Sequence, residues 1–281
     1  MLRLTKHGMS ALAYGARKAA ENPSLRRMLF NSIRLKRVET ERFSEMEEFR
    51  FLAYCFLNRA HSRSQILQDL WVGYELGERR DGFFVEFGAT NGFVNSNTWL
   101  LEKKYGWQGI LAEPNPFWHA ELARNRNSAI DHRCVSSNSG EKVRFLTTDA
   151  VDPELSGVAE FAGGDHFAEV RSDGVALEIE TVSLNQLLSD HHAPGKIDYM
   201  SIDTEGSEYE ILRNFDFSRH VVELISVEQN GKTEAAIEAL LAGKGYQRVF
   251  KEFSQWDGWY VRGERRLPDH VAEASSIAPE A

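Results

Sequence analysis

The sequence has few cysteines, no long apolar run, no internal repeat and, beyond its first 37 residues, no excess of positive charge. Cys55 and Cys134 are its only two cysteines. Their spacing forms no metal motif, and the expectation is two reduced, buried thiols. No stretch of about 20 apolar residues suggests a membrane-spanning helix. The basic residues near the start are not followed by a continuous apolar stretch, so no secretory signal is expected and a cytoplasmic protein is the default. The net charge of −9 is uneven: residues 1–37 hold nine Lys/Arg against Glu21 alone, giving +8 and leaving −17 on the remainder. An acidic body lacks the clustered positive charge that phosphate contacts need, which argues against nucleic-acid binding.

A chain of 281 residues suffices for one globular domain with an appendage. Three parts are expected: a basic helical extension over 1–60, a main domain over 61–265 with a variable insertion at about 150–180, and a small, acidic, disordered tail over 266–281. In the first part Leu4, Met9, Leu12, Ala13 and Ala16 can share a helix face. Two readings stay open: a solvated extension, or an amphipathic arm that meets an anionic membrane or an acidic partner. Helical patterns follow at 39–60, with Met46, Phe49, Ala53 and Phe56 at one-turn spacing, and at 64–77.

Strand-like runs then alternate with helical ones. The strands are expected at Phe83–Phe87, Gly109–Ala112, His132–Val135, Tyr199–Ile202, Leu224–Val227, Gln247–Phe253 and Trp259–Val261. The helices are expected at Asn95–Lys104, Pro116–Arg124, Leu184–Leu188, Ser207–Leu212 and Thr233–Leu241. Such alternation predicts an α/β fold, a mostly parallel sheet of seven strands with helices on both faces. The last two strands have no helix between them and should form a hairpin. Val143–Leu146 and Leu177–Thr181 are candidate extra strands around the insertion.

The run Phe84-Val85-Glu86-Phe87-Gly88-Ala89-Thr90-Asn91-Gly92 reads as a buried strand followed by a glycine-punctuated turn. Glycines there let backbone approach a ligand where a Cβ would clash. Glu113 follows 21 residues after Gly92, the position from which an acid meets a ribose diol. A full G-x-G-x-x-G is missing. The pattern is E-x-G-x-x-x-G, suited to an amino-acid-bearing nucleoside, and it reads as an S-adenosylmethionine site rather than an NAD site.

Several blocks together resemble the FkbM-type methyltransferase family. They are Ser64-Gln65-Ile66-Leu67-Gln68-Asp69, Val85 to Gly92, Leu111-Ala112-Glu113-Pro114-Asn115-Pro116, Ile202-Asp203-Thr204-Glu205-Gly206-Ser207-Glu208, and Ser226-Val227-Glu228-Gln229-Asn230. The similarity covers roughly 62–262, and the I-D-x-E-G-x-E block is its most specific part. It implies a Rossmann-like class I methyltransferase, with an acceptor hydroxyl on a sugar, glycan or secondary metabolite.

Ligands of this fold bind outside the carboxyl ends of the strands. Glu86 is therefore expected to accept from the ligand's ammonium group, and Gly88, Thr90, Asn91 and Gly92 to line the cofactor. Glu113 is expected on the ribose hydroxyls, beside Pro114 and Asn115; Asn115 is either a turn residue or part of the adenosine pocket. Ser136 is placed near the adenine. Gln68 and Asp69 belong to the site only if their helix covers it; capping or packing is the alternative. Asp203 and Glu205 are the candidate proton acceptors, and Glu208 reads as a carboxylate favoured at a helix N-terminus. His166 is either a base over the acceptor or a solvated loop residue. Magnesium is possible but not favoured; its donors would be Asp203, Glu228 and Asn230. Two other readings are an N-methyltransferase acting on an amine, and a non-catalytic binding module on the same fold.

Overall fold

A computed structural model describes residues 22–24, 27, 46–148, 153, 156–161, 174–229 and 231–265. The expectations for the basic arm at 1–37, for His166 and Asn230, and for the tail beyond 265 lie outside these residues, save 22–24 and 27. The chain divides into two compact units, Met1–Leu52 with Ala278–Ala281, and Ala53–Ile277. Helix α1, Glu47–Asn58, falls within the helical pattern expected at 39–60. Met46, Phe49 and Phe56 of its apolar stripe are exposed. Among the described residues no helix is long and apolar enough to cross a membrane.

The second unit is built on β1 (Phe83–Phe87), β2 (Gln108–Ala112), β3 (Ala129–Asp131), β8 (Lys196–Ile202), β9 (Val221–Glu228), β10 (Tyr246–Val249) and β11 (Asp257–Arg262). They form one seven-stranded sheet in the order β10-β11-β9-β8-β1-β2-β3. β3, β2, β1, β8 and β9 run parallel, while β11 and β10 return antiparallel as the terminal hairpin. This is the mostly parallel seven-stranded sheet with a terminal hairpin that the sequence predicts. The parallel strands are near-continuous apolar runs because both of their faces are buried.

Alternation along each strand divides the core in two. Val85, Phe87, Ile110, Ala112, Met200, Ile202, Ile225 and Val227 face one cluster. It is covered by α5 (Leu184–Asp190), α6 (Glu208–Arg213) and α7 (Glu234–Gly243), through Leu187, Leu188, Ile211, Leu212, Ile237 and Leu241. The opposite face holds Phe84, Glu86, Leu111, Tyr199, Ser201, Ser226 and Trp259, as the register requires. There α2 (Gln68–Glu75) packs by stacking Trp71 on Trp259, with centroids 5.2 Å apart, and by meeting Tyr199 edge-on. Helices α3 (Trp99–Tyr105) and α4 (Pro116–Asn125) follow β1 and β2 in the chain.

One strand departs from expectation. The third strand of the main sheet is Ala129–Asp131, not His132–Val135. Cys134–Ser136 is β4 of a second sheet, ordered β4-β7-β5-β6, with β5 Lys142–Thr147, β6 Gly157–Val158 and β7 Val175–Ser183. The chain breaks after Asp131 because that carboxylate turns back on the next residues. It accepts from Arg133 N at 2.9 Å and Arg133 Nε at 3.0 Å. β4 then pairs with β7, more than forty residues downstream. Cys134, Phe145 and Val158 form a small core of their own. Cys55 and Cys134 are both free and buried, and burial pushes each thiol up to about 12.

Candidate active site

Strand order reverses between β1 and β8, and a crevice at such a switch point is where open α/β sheets bind ligands. The loops leaving these two strands touch. Gly88 sits at φ +70°, and a Cβ there would lie 2.2 Å from the carbonyl oxygen of Asp203. Only glycine fits that backbone and that space. The N–H groups of Gly88 and Ala89 donate to Ala112 O at 3.0 and 3.3 Å, so the same loop is tied to β2.

Glu113 leaves the end of β2. Its Oε2 accepts from Thr90 N at 2.7 Å and its Oε1 from Asn115 N at 2.7 Å. The carboxylate is buried, and desolvation pushes it up to about 7 despite those two donors. Each oxygen keeps a further lone pair. Asn115 N-caps α4, accepting from Phe117 N at 3.0 Å, and its amide reaches Ser156 Oγ at 3.2 Å. It is thus a capping residue beside the site, with half-buried Pro114 between it and Glu113. Asn91 builds the loop: Oδ1 accepts from Phe93 N and Val94 N, and Nδ2 donates to Glu121 at 3.1 Å. At Gly92, also at positive φ, the side-chain space is filled by Leu122 and Arg126, each 2.6 Å from a Cβ position.

The Glu86 carboxylate, expected to meet a ligand's ammonium group, is held by donors of the protein itself. Oε1 accepts from Asn97 N at 2.7 Å, Oε2 from Thr98 Oγ1, and Ser96 Oγ lies 3.3 Å from both. Arg126 completes the set, with Nη1 3.4 Å from Oε2. The guanidinium is fully buried. Nε donates to Glu102 Oε2 at 3.0 Å, Nη2 to Thr98 Oγ1 at 2.8 Å and Nη1 to Ser96 Oγ at 3.1 Å. Burial raises Glu102, yet Arg126, Lys103 and Ser128 together bring it to about 2. Glu86 therefore organises the loop that crosses the switch point. Asn97 bridges that point too, donating from Nδ2 to Ser201 Oγ on β8 at 2.9 Å.

The acids of the I-D-x-E-G-x-E block converge. Asp203, Glu208 and Glu228 each bring one carboxylate oxygen within 4.8 Å of the others, as a small hard cation would require. Asn230 lies outside the described residues, and Glu208 is a member of this group that the sequence reading did not name as a metal donor. It opens α6, is buried, and holds the preceding loop: Oε1 accepts from Thr204 N at 3.0 Å, Thr204 Oγ1 at 3.0 Å and Gly206 N at 2.9 Å. Glu205 is half-buried on left-handed backbone at φ 60°. Solvent reaches the Asp203 side chain at the rim, while protein packed beneath it strips much of its hydration. That desolvation, then the charges of Glu205, Asp257 and Glu208, raise its pKa well above the carboxylate range, against a hydrogen bond with Glu228.

Asp257 is a further acid at this place. It faces Glu228 across the β9–β11 ladder and accepts from Gln68 Nε2 at 3.0 Å; burial pushes it up to about 7. Gln68 thus reaches the edge of the acid group, whereas Asp69 does not. Fully buried Asp69 fixes the turn before its helix, taking Ser62 Oγ at 2.7 Å, Arg63 N at 2.8 Å and Ser64 Oγ. Ser136 ends β4 in the second sheet, so the position after the main sheet's third strand belongs to His132, whose ring stacks on His119 at 3.7 Å. Sequence reasoning passed over Asp257, Arg126 and Asn97. An acid inside Trp256-Asp257-Gly258-Trp259-Tyr260 is a legible signal, since buried carboxylates need a partner. Arg126 and Asn97 stand in polar stretches that carry no such mark.

The family model described as methyltransferase FkbM domain matches residues 86–248. Methyltransferase sdnD of Sordaria araneosa is 27% identical over 202 residues, spanning 62% of this chain and 76% of that protein. Among solved structures, precorrin-6y C5,15-methyltransferase from Geobacter metallireducens GS-15 aligns with a TM-score of 0.36 and 12% identity, over 66% of this chain and 83% of its own. The fibrillarin pre-rRNA processing protein of Methanococcus jannaschii aligns with a TM-score of 0.36 and 14% identity, over 72% and 76%.

Proposed function

This chain belongs to the FkbM methyltransferase family, and from that premise we propose that it is an S-adenosylmethionine-dependent O-methyltransferase acting on a hydroxyl of a sugar, a glycan or a secondary metabolite. The observation that carries the reading is Asp203: a solvent-reached carboxylate at the switch point, with a raised pKa, next to the loop that Gly88 brings against it. A carboxylate of raised basicity is suited to receive the proton that an acceptor hydroxyl loses.

The residues present fit the cofactor. Glu113 is buried, doubly anchored by backbone N–H groups, and retains a lone pair on each oxygen for a ribose diol. Gly88 removes the side chain that would push apart the two loops forming the crevice. The acid group around Asp203 favours a ligand that carries positive charge. When bound, S-adenosylmethionine supplies an electrophilic methyl group. The protein's own part is to hold acceptor and cofactor in line at the rim and to accept the hydroxyl proton at an Asp203 carboxylate oxygen. Glu205, Asp257 and Glu208 keep that oxygen basic.

The test is methyl transfer from ¹³C-methyl-labelled cofactor to a panel of sugars and polyols, beside a panel of amines, with the product read by NMR. Oxygen-bound label is expected, with turnover reduced at least ~100-fold in Asp203→Asn. Label on amines alone, or wild-type turnover in the variant, would overturn the reading. Turnover abolished by chelator would assign activation of the hydroxyl to a divalent cation on Asp203, Glu208 and Glu228.

A further inference from the structure

The rim of the switch point is crowded with carboxylates, while an amino-acid-bearing ligand brings a carboxylate of its own and needs a cation to meet it. Arg126 is unsuitable, being buried and engaged by Glu86 and Glu102. Arg63 is exposed. Its backbone is fixed by Asp69, which accepts from Arg63 N at 2.8 Å and from the flanking serines. Ser64 forms a bridge with Asn95, which places Arg63 beside the loop that follows β1. The guanidinium carbon lies 4.7 Å over the Phe93 ring and 5.2 Å over the Trp99 ring. Those rings meet edge to face at 5.3 Å and form a rigid pedestal. Among the described residues no carboxylate pairs with Arg63.

We propose that Arg63 binds the carboxylate at the amino-acid end of the cofactor. The inference rests on the S-adenosylmethionine reading above and deepens it. Stacking on aromatic faces orients the guanidinium plane and leaves its N–H edge open. That edge matches a carboxylate in two-pronged fashion, so ordering entropy is already met before the ligand arrives. This gives the Ser64-Gln65-Ile66-Leu67-Gln68-Asp69 leader a physical role, because Asp69 locks the turn from which Arg63 reaches the ligand.

Calorimetric titration separates the possibilities. S-adenosylhomocysteine keeps the carboxylate, and decarboxylated S-adenosylmethionine lacks only that group. Arg63→Met retains the apolar stem on Phe93 and Trp99 while removing the charge. It is expected to weaken S-adenosylhomocysteine by roughly 10- to 100-fold and to bind the decarboxylated ligand at least as well as wild type. Arg63→Lys should fall between, since it restores charge without the planar fork. Unchanged S-adenosylhomocysteine affinity in Arg63→Met, or equal loss of both ligands, would overturn the proposal. Wild type binding neither ligand would instead remove the cofactor reading beneath it.

Discussion

At position 88 an added Cβ would lie 2.2 Å from a backbone oxygen, on a backbone already held at φ +70°. Gly88→Ala therefore has to move one of the two loops that form the crevice. It is expected to lower stability by about 1–3 kcal/mol and to weaken S-adenosylhomocysteine binding, read by urea denaturation and titration. Glu113→Ala should act on cofactor affinity, and a variant that binds as wild type does would refute its assignment to the ribose. The same carboxylate gives a pH prediction. Glu113 and Asp257 are both pushed up to about 7 by burial, from ordinary values of 4.5 and 3.8. The native state then holds more protons than the unfolded chain across that interval. Their contribution to stability is present below the ordinary values and is lost as pH rises through about 7. The Tm of the ligand-free protein should fall between about pH 4 and 7 for this reason, and the fall should be shallower in Asp257→Asn. Parallel wild-type and variant curves would contradict it.

Among the elements, the loop from Gly88 to Thr98 depends on Arg126, which arrives after α4. Arg126→Met leaves Glu86 buried without its cation and Glu102 with Lys103 alone, a loss expected to cost about 3–5 kcal/mol. Denaturant unfolding measures it; a change under about 1 kcal/mol would mean that the network relaxes or takes up water. This network also marks where sequence reading stops. β1, β2, β8 and β9 were legible because both faces of each are buried, so the strands appear as apolar runs ended by glycine or acid. The terminal hairpin was legible from the missing helix between its strands. β3 was misplaced because Ala129–Asp131 is short and its end is set by Arg133 and by His191, sixty residues on. The protein partners of Glu86 were not legible for the same kind of reason: Arg126 lies forty residues away and shares no periodic pattern with it. The strand-end positions of Glu113 and Asp203 were legible because they depend on local sequence alone.

At the scale of the whole molecule, a group of carboxylates lies beside the point where the strand order turns. Asp203, Glu208 and Glu228 lie within 4.8 Å of one another, with Glu205 and Asp257 adding charge at Asp203. A cationic ligand relieves that repulsion, so binding should stabilise the native state by mass action. The most direct measurement is a thermal-shift titration with S-adenosylmethionine and S-adenosylhomocysteine, run with magnesium and with chelator. A concentration-dependent rise in Tm with both ligands, unchanged by chelator, is the predicted result. A folded protein whose Tm does not respond to either ligand at any concentration would contradict the account.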